Sequence, residues 1–154
     1  GNLAAVHQVT ERARAVARPR SRAMAPLNAF IVEASPVIRE KLVAALEELA
    51  PVKVTGQADD EASALQWLQD AANACDVVVI DIFLRRGSGL GVLRWLHEHL
   101  ATDFGLGEFE GMPETGLFRH CLTLGASRVF DMSGEIDALV EHCIALAKGA
   151  GRAA

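Results

Sequence analysis

Apolar positions along the chain switch between two spacings, and the switching predicts a repeated strand–helix order. Ala29-Phe30-Ile31-Val32 is a short apolar run that ends on Glu33 and reads as a strand. Ser35-Pro36 supplies an N-cap and a proline at the first helical position. Ile38, Leu42, Ala45 and Leu49 then recur at helical spacing until Pro51 closes the helix. Val52-Lys53-Val54-Thr55-Gly56 alternates as a second strand. Asp59 or Asp60 caps a second helix, with Ala62, Leu65, Leu68 and Ala72 on its apolar face and Trp67 at the edge. Val77-Val78-Val79-Ile80, four β-branched residues leading to Asp81, reads as a strand buried on both faces, hence central and parallel. A third helix runs roughly from Gly89 to His99, with Leu90, Leu93, Trp95 and Leu96 inward. Leu117, Cys121, Leu122 and Leu124 mark a fourth helix stopped by Gly125. Arg128-Val129-Phe130 is a last short strand, and Ser133 caps a final helix carrying Ile136, Leu139, Val140, Cys143 and Ala147.

Two stretches break the pattern. A fourth parallel strand is due within 101–116, yet the segment offers glycines and acids around isolated Phe104, Leu106 and Phe109, so it reads as a poor strand or a loop. At the other end, Leu3, Val6, Val9, Ala13, Val16 and Ala17 form one weak helical stripe before Pro19. Around it Arg12, Arg14, Arg18, Arg20 and Arg22 face a single acid, Glu11. This arm is open to three readings: a helix for dimer or partner contact, a mobile basic tail, or an organellar presequence. The expected organisation is a basic arm over 1–27, one domain over 28–148 and a tail over 149–154. The expected architecture is α/β, a doubly wound five-stranded parallel sheet with an irregular fourth strand.

Composition narrows the function classes. The 154 residues suffice for one domain with a core, and a net charge of -5 gives no overall nucleic-acid signature. Cys75, Cys121 and Cys143 are odd in number and widely spaced, which fits reduced thiols in a cytoplasmic protein better than a disulfide frame or a zinc site. His97 and His99 stand two apart and point away from each other on a helix, which argues against a metal pair. No apolar run reaches the ~18 residues of a membrane span, and no secretory signal is visible.

The chemistry converges on two carboxylates. Glu33 and Asp81 both end strands, and the carboxyl ends of parallel strands are where open α/β sheets bind ligands. Paired acids there suit a hard divalent cation. With Ile31-Val32-Glu33-Ala34-Ser35-Pro36, Val79-Ile80-Asp81-Ile82-Phe83-Leu84 with Gly89, and Leu124-Gly125-Ala126-Ser127-Arg128-Val129-Phe130-Asp131 in order, residues 28–148 resemble a response-regulator receiver domain of two-component signalling. The resemblance implies that Asp81 takes a phosphoryl group from a histidine kinase or phosphotransfer protein. It also implies Mg²⁺ held by Glu33, Asp81 and the backbone carbonyl of Phe83. Because the sequence ends soon after the last helix, no DNA-binding domain is expected, and output is expected through contact with a downstream protein target. A homodimer through the arm is compatible with it.

Departures from the family pattern accompany the matches. Ala34 stands where a second acid is usual, and Met132 where a lysine contacts the phosphoryl oxygens. No Ser or Thr falls between Glu108 and Met112, where the fourth strand should end; Thr102 and Thr115 are out of register, and Val129 holds the place of a switching aromatic. Two readings follow, neither of them an enzyme. One is a single-domain receiver in a phosphorelay with Asp81 as phospho-acceptor; the alternative is a pseudo-receiver interaction module that has lost efficient Mg²⁺ and phosphoryl chemistry. A haloacid-dehalogenase-type phosphatase would need an acid two residues after Asp81, where Phe83 stands.

Overall fold

Local signals in the sequence set most element boundaries. In the computed structural model, which describes residues 3–8, 26–99, 116–126, 128–131 and 134–152, strand β1 (Leu3–Gln8) is followed by β2 (Leu27–Val32) and helix α1 (Pro36–Leu49). Ser35 Oγ caps α1 by accepting the Ile38 N–H at 3.3 Å, with Pro36 as its first residue. Strand β3 (Val52–Ala58) leads to α2 (Glu61–Gln69), and Asp60, of the two candidate caps, accepts the Ser63 N–H at 2.8 Å. Strand β4 (Val77–Asp81), helix α3 (Gly89–His99) and helix α4 (Gly116–Thr123) come next. α4 stops at Gly125, whose φ of 96° favours glycine. Strand β5 (Arg128–Asp131) and helix α5 (Ile136–Arg152) complete the order.

The sheet runs β3-β2-β4-β1-β5. β2 pairs in parallel with β3 and β4, as a doubly wound fold requires. β1 pairs antiparallel with both β4 and β5, so the sheet is mixed rather than wholly parallel. Leu3–Gln8 thus occupies the place next to β4 where a fourth parallel strand was due. That strand was expected within 101–116; residues 101–115 lie outside the described residues, and Gly116 already begins α4.

The helical reading of the amino-terminal arm is therefore corrected over Leu3–Gln8. Ala5 packs into the core under α2, α3 and α4, while Ala4 and Val6 pack into the opposite core under α1 and α5. A strand buried on both faces needs no alternation, so the three-residue spacing of Leu3 and Val6 carried no helical information. Among the described residues β5 joins the sheet through β1. The remaining arm residues, 9–25, lie outside the described set.

The two cores sit on opposite faces of the sheet. Leu42 and Leu46 of α1 meet Leu139, Val140 and Cys143 of α5 on one; Ala64, Val92, Leu93, Leu96, Cys121 and Leu122 line the other. Trp67 lies flat on Phe30, with ring centroids 4.0 Å apart and planes 5° from parallel. Trp67→Ala is expected to lower stability by about 3 kcal/mol in urea denaturation without changing the slope of the transition. All three cysteines are free and buried, and burial pushes the Cys75 and Cys143 thiols up to about 12. Among the described residues no helix is long and apolar enough to cross a membrane.

Candidate functional site

β2 and β4 are adjacent and parallel, with Val32 opposite Ile80, so the residues that follow this pair emerge side by side. They are Glu33 and Asp81, which are only 4% and 8% exposed. The two carboxyl groups come within hydrogen-bonding reach of each other, and Asp81 responds strongly. Its pKa is raised to about 7, first by burial, next by the hydrogen bond to Glu33, against the Phe83 N–H, which favours the charged form. Two acids packed this closely cannot both ionise without a compensating cation.

Backbone donors fix each carboxylate. Asp81 Oδ1 accepts the Phe83 N–H at 3.0 Å, and Glu33 Oε2 accepts the Ser35 N–H at 3.0 Å. Ala34, between Glu33 and the cap of α1, is half-buried and carries no polar group. Arg39, one turn into α1, donates from Nη1 to the Glu33 carbonyl at 2.7 Å, and the Glu33 N–H donates to Ala58 O at 2.9 Å. Beside them lies a cavity of about 290 Å³ lined by Arg39, Gln57, Ala58, Asp59 and Ser63. Phe83 is half-exposed at the rim.

The loop after Asp81 is closed tightly on itself. Gly89 N–H and Ser88 Oγ both donate to Ile82 O, at 3.0 and 3.4 Å, and Ser88 Oγ caps α3 by accepting the Leu90 N–H at 3.0 Å. A side chain at Gly89 would run into the Asp81 carbonyl, so only glycine permits this approach. On the far side of Asp81, Ala4 of β1 is its register partner, and Leu3 O accepts the Ile82 N–H at 2.9 Å.

Over residues 29–104 the sequence matches the response regulator receiver domain. Residues 29–104 thus carry the receiver-domain pattern. The matched span runs from β2 past the end of α3, the part of the fold that holds Glu33, Asp81 and the loop between them. No curated protein and no solved structure matches the chain. Receiver domains typically bind Mg²⁺ at their phosphorylation site and work with kinases or phosphotransfer proteins in phosphorelay signalling.

Of the residues singled out from the receiver pattern, the structure brings together Glu33, Ala34, Asp81 and Phe83. Met132, Ser133, Thr102, Thr115 and the Glu108–Met112 stretch lie outside the described residues. Among the described residues no group of three or more His, Cys, Asp or Glu side chains converges as a metal cluster. Arg86, next to the site in sequence, is drawn toward Asp60, whose carboxyl is held below its usual range first by Ser63 and further by that guanidinium. The sequence reading missed Arg39, Glu61 and Asp76. Asp76 staples the start of β4 to β2, its N–H donating to Asn28 O at 2.7 Å and its Oδ2 accepting the Asn28 N–H at 2.8 Å.

Proposed function

We propose that the chain is a phosphorelay receiver in which Asp81 accepts a phosphoryl group from a histidine kinase, a phosphotransfer protein or a small phosphodonor. The observation that carries this reading is the shared pocket of Glu33 and Asp81 at the carboxyl ends of two adjacent parallel strands. An Asp81 carboxylate oxygen attacks phosphorus, the acyl-phosphate P–O bond forms, and the bond to the donor's leaving group breaks with its electron pair. Asp81 must be ionised for this, and burial beside Glu33 works against ionisation.

The donor set fits one hard divalent cation. Glu33, Asp81 and the Phe83 carbonyl would hold it, the rest of its shell being water, as suits Mg²⁺. Bound there, Mg²⁺ would neutralise the paired acids and the charge on the transferring oxygens. The Phe83 N–H keeps Asp81 Oδ1 oriented, and the burial of β4 holds the carboxylate at the rim.

A second reading, a pseudo-receiver that serves only as a contact module, is favoured by one observation: apolar Ala34 where the family places a second acid. Incubation with Mg²⁺ and acetyl phosphate, followed by intact mass measurement, separates the two. A gain of one phosphoryl mass that is absent in Asp81→Asn is the expected result. No gain together with no measurable Mg²⁺ affinity would establish the pseudo-receiver instead.

A further inference from the structure

We propose that Glu61, on the neighbouring helix α2, is a positioning residue that clasps the loop after Asp81 and so sets the geometry of phosphoryl acceptance. This rests on the phospho-acceptor reading above and extends it to a residue outside the carboxylate pair.

Glu61 sits at the first position of α2 and reaches across to a different element. Its Oε1 accepts the Ser88 N–H at 2.9 Å, and its own N–H donates to Arg86 O at 3.2 Å. One residue therefore satisfies a donor and an acceptor on either side of Gly87, as a capping box does within a single helix. The loop is shaped to receive it. Gly87 adopts a φ of 78°, and a side chain there would lie 2.5 Å from Glu61 Cβ and 2.7 Å from Oε1. A side chain at Gly91 would meet Oε2 and lie 2.7 Å from Oε1. The two glycines leave a groove that the Glu61 carboxylate fills. Arg86, between the clasp and Asp81 in the chain, adds attraction to the neighbouring Asp60.

The far end of the same loop is Asp81. The intervening residues place the Phe83 N–H on Asp81 Oδ1 at 3.0 Å. With Ser88 anchored to Glu61 and Ile82 O closed by Gly89 N–H and Ser88 Oγ, residues 82–88 have both ends fixed. Loosening one anchor lets Phe83 drift from Asp81, and misplacement of about 1 Å is enough to slow a positioned reaction.

The test uses the full chain and three variants. Glu61→Gln keeps an acceptor oxygen for Ser88, Glu61→Ala removes it, and Gly91→Ala improves helix propensity while its methyl group pushes into the carboxylate. Amide exchange at Phe83 and Ser88, Mg²⁺ affinity, and the acetyl phosphate rate at saturating Mg²⁺ are measured for each. Glu61→Ala and Gly91→Ala are expected to exchange at least tenfold faster at both amides, to bind Mg²⁺ more weakly and to react about tenfold slower. Glu61→Gln should remain within twofold of the parent on all three. A structural role alone predicts the reverse for Gly91→Ala, since a better helix should not loosen the loop. Parental exchange at Phe83 in both Glu61→Ala and Gly91→Ala would overturn the clasp. If the parent chain takes up no phosphoryl group, the phospho-acceptor reading fails, and the exchange and Mg²⁺ measurements still decide the role of Glu61.

Discussion

A chain carrying Val6→Asp will lose about 5 kcal/mol or more of its folding stability at 25 °C. Val6 is fully buried on the face under α1 and α5, and its strand has hydrogen-bonding neighbours on both sides. An unpaired carboxylate there has no partner and no water, a cost of about 5 kcal/mol or more. Total stabilities of only 5–15 kcal/mol are usual for a domain, so the loss takes roughly a third of it or more. The damage also spreads, because among the described residues β5 is joined to the rest of the sheet through β1. Far-UV circular dichroism and urea denaturation measure it. Lys53→Asp, at an exposed strand position, is the control and should change stability by less than about 0.5 kcal/mol. A Val6→Asp chain with the parental denaturation midpoint would show that residues 3–8 contribute nothing to the sheet.

The second large effect is a pair of opposing pH dependences. His7 is 0% exposed, and neither ring nitrogen has a hydrogen-bond partner among the described residues. Burial, and secondarily the charge of His97, lowers its pKa to about 4. The unfolded chain therefore binds this proton more readily, and stability is lost as pH falls from about 6.5 toward 4, by about 3 kcal/mol in all. Asp81 acts the other way. Its pKa is raised to about 7 in the fold, so its contribution is complete below the ordinary carboxylate pKa and is lost as pH rises through 7. In the parent chain the two trends offset each other between pH 4 and 6.5.

Single variants separate them. Urea denaturation in a chelator, from pH 4.5 to 8, should show His7→Leu gaining on the parent as pH falls. Asp81→Asn should gain on the parent as pH rises. Difference curves that stay flat for both would mean that neither group titrates differently in the fold. His7→Leu should also be the more stable protein at neutral pH, because it removes a buried polar ring that nothing satisfies.

Most of the architecture is written locally. Ser35-Pro36, Asp60 and Gly125 mark helix ends through hydrogen bonds with near neighbours, so they are readable without the rest of the molecule. Val77–Asp81 announces a central strand through its own unbroken β-branched run. Leu3–Gln8 does not, since Leu-Ala-Ala-Val fits a buried helix turn as well as a buried strand, and its partners lie far along the chain. Its antiparallel direction shows only in its pairing with β4 and β5, which no local pattern records. At the site, Glu33 and Asp81 were legible as strand-end carboxylates. Glu61 was hidden because Asp59-Asp60-Glu61 reads as an ordinary acidic helix start, and its target is a backbone N–H at Ser88.

The placement of β1 has a kinetic consequence. Leu3 precedes every other described element in the chain, yet it pairs with Asp131, almost the full length of the chain away, and Ala4 pairs with Asp81. During synthesis β1 must wait for β5 before its outer edge is covered, and its long-range pairing with β4 must form before the centre of the sheet can close. Until then β4 presents an unsatisfied edge of four consecutive β-branched residues, the kind of surface that templates aggregation. Contacts this distant in sequence make for slow closure. The β2–β4 half of the domain, which carries both acids, can form early and locally, while the half resting on β1 is the late step of folding.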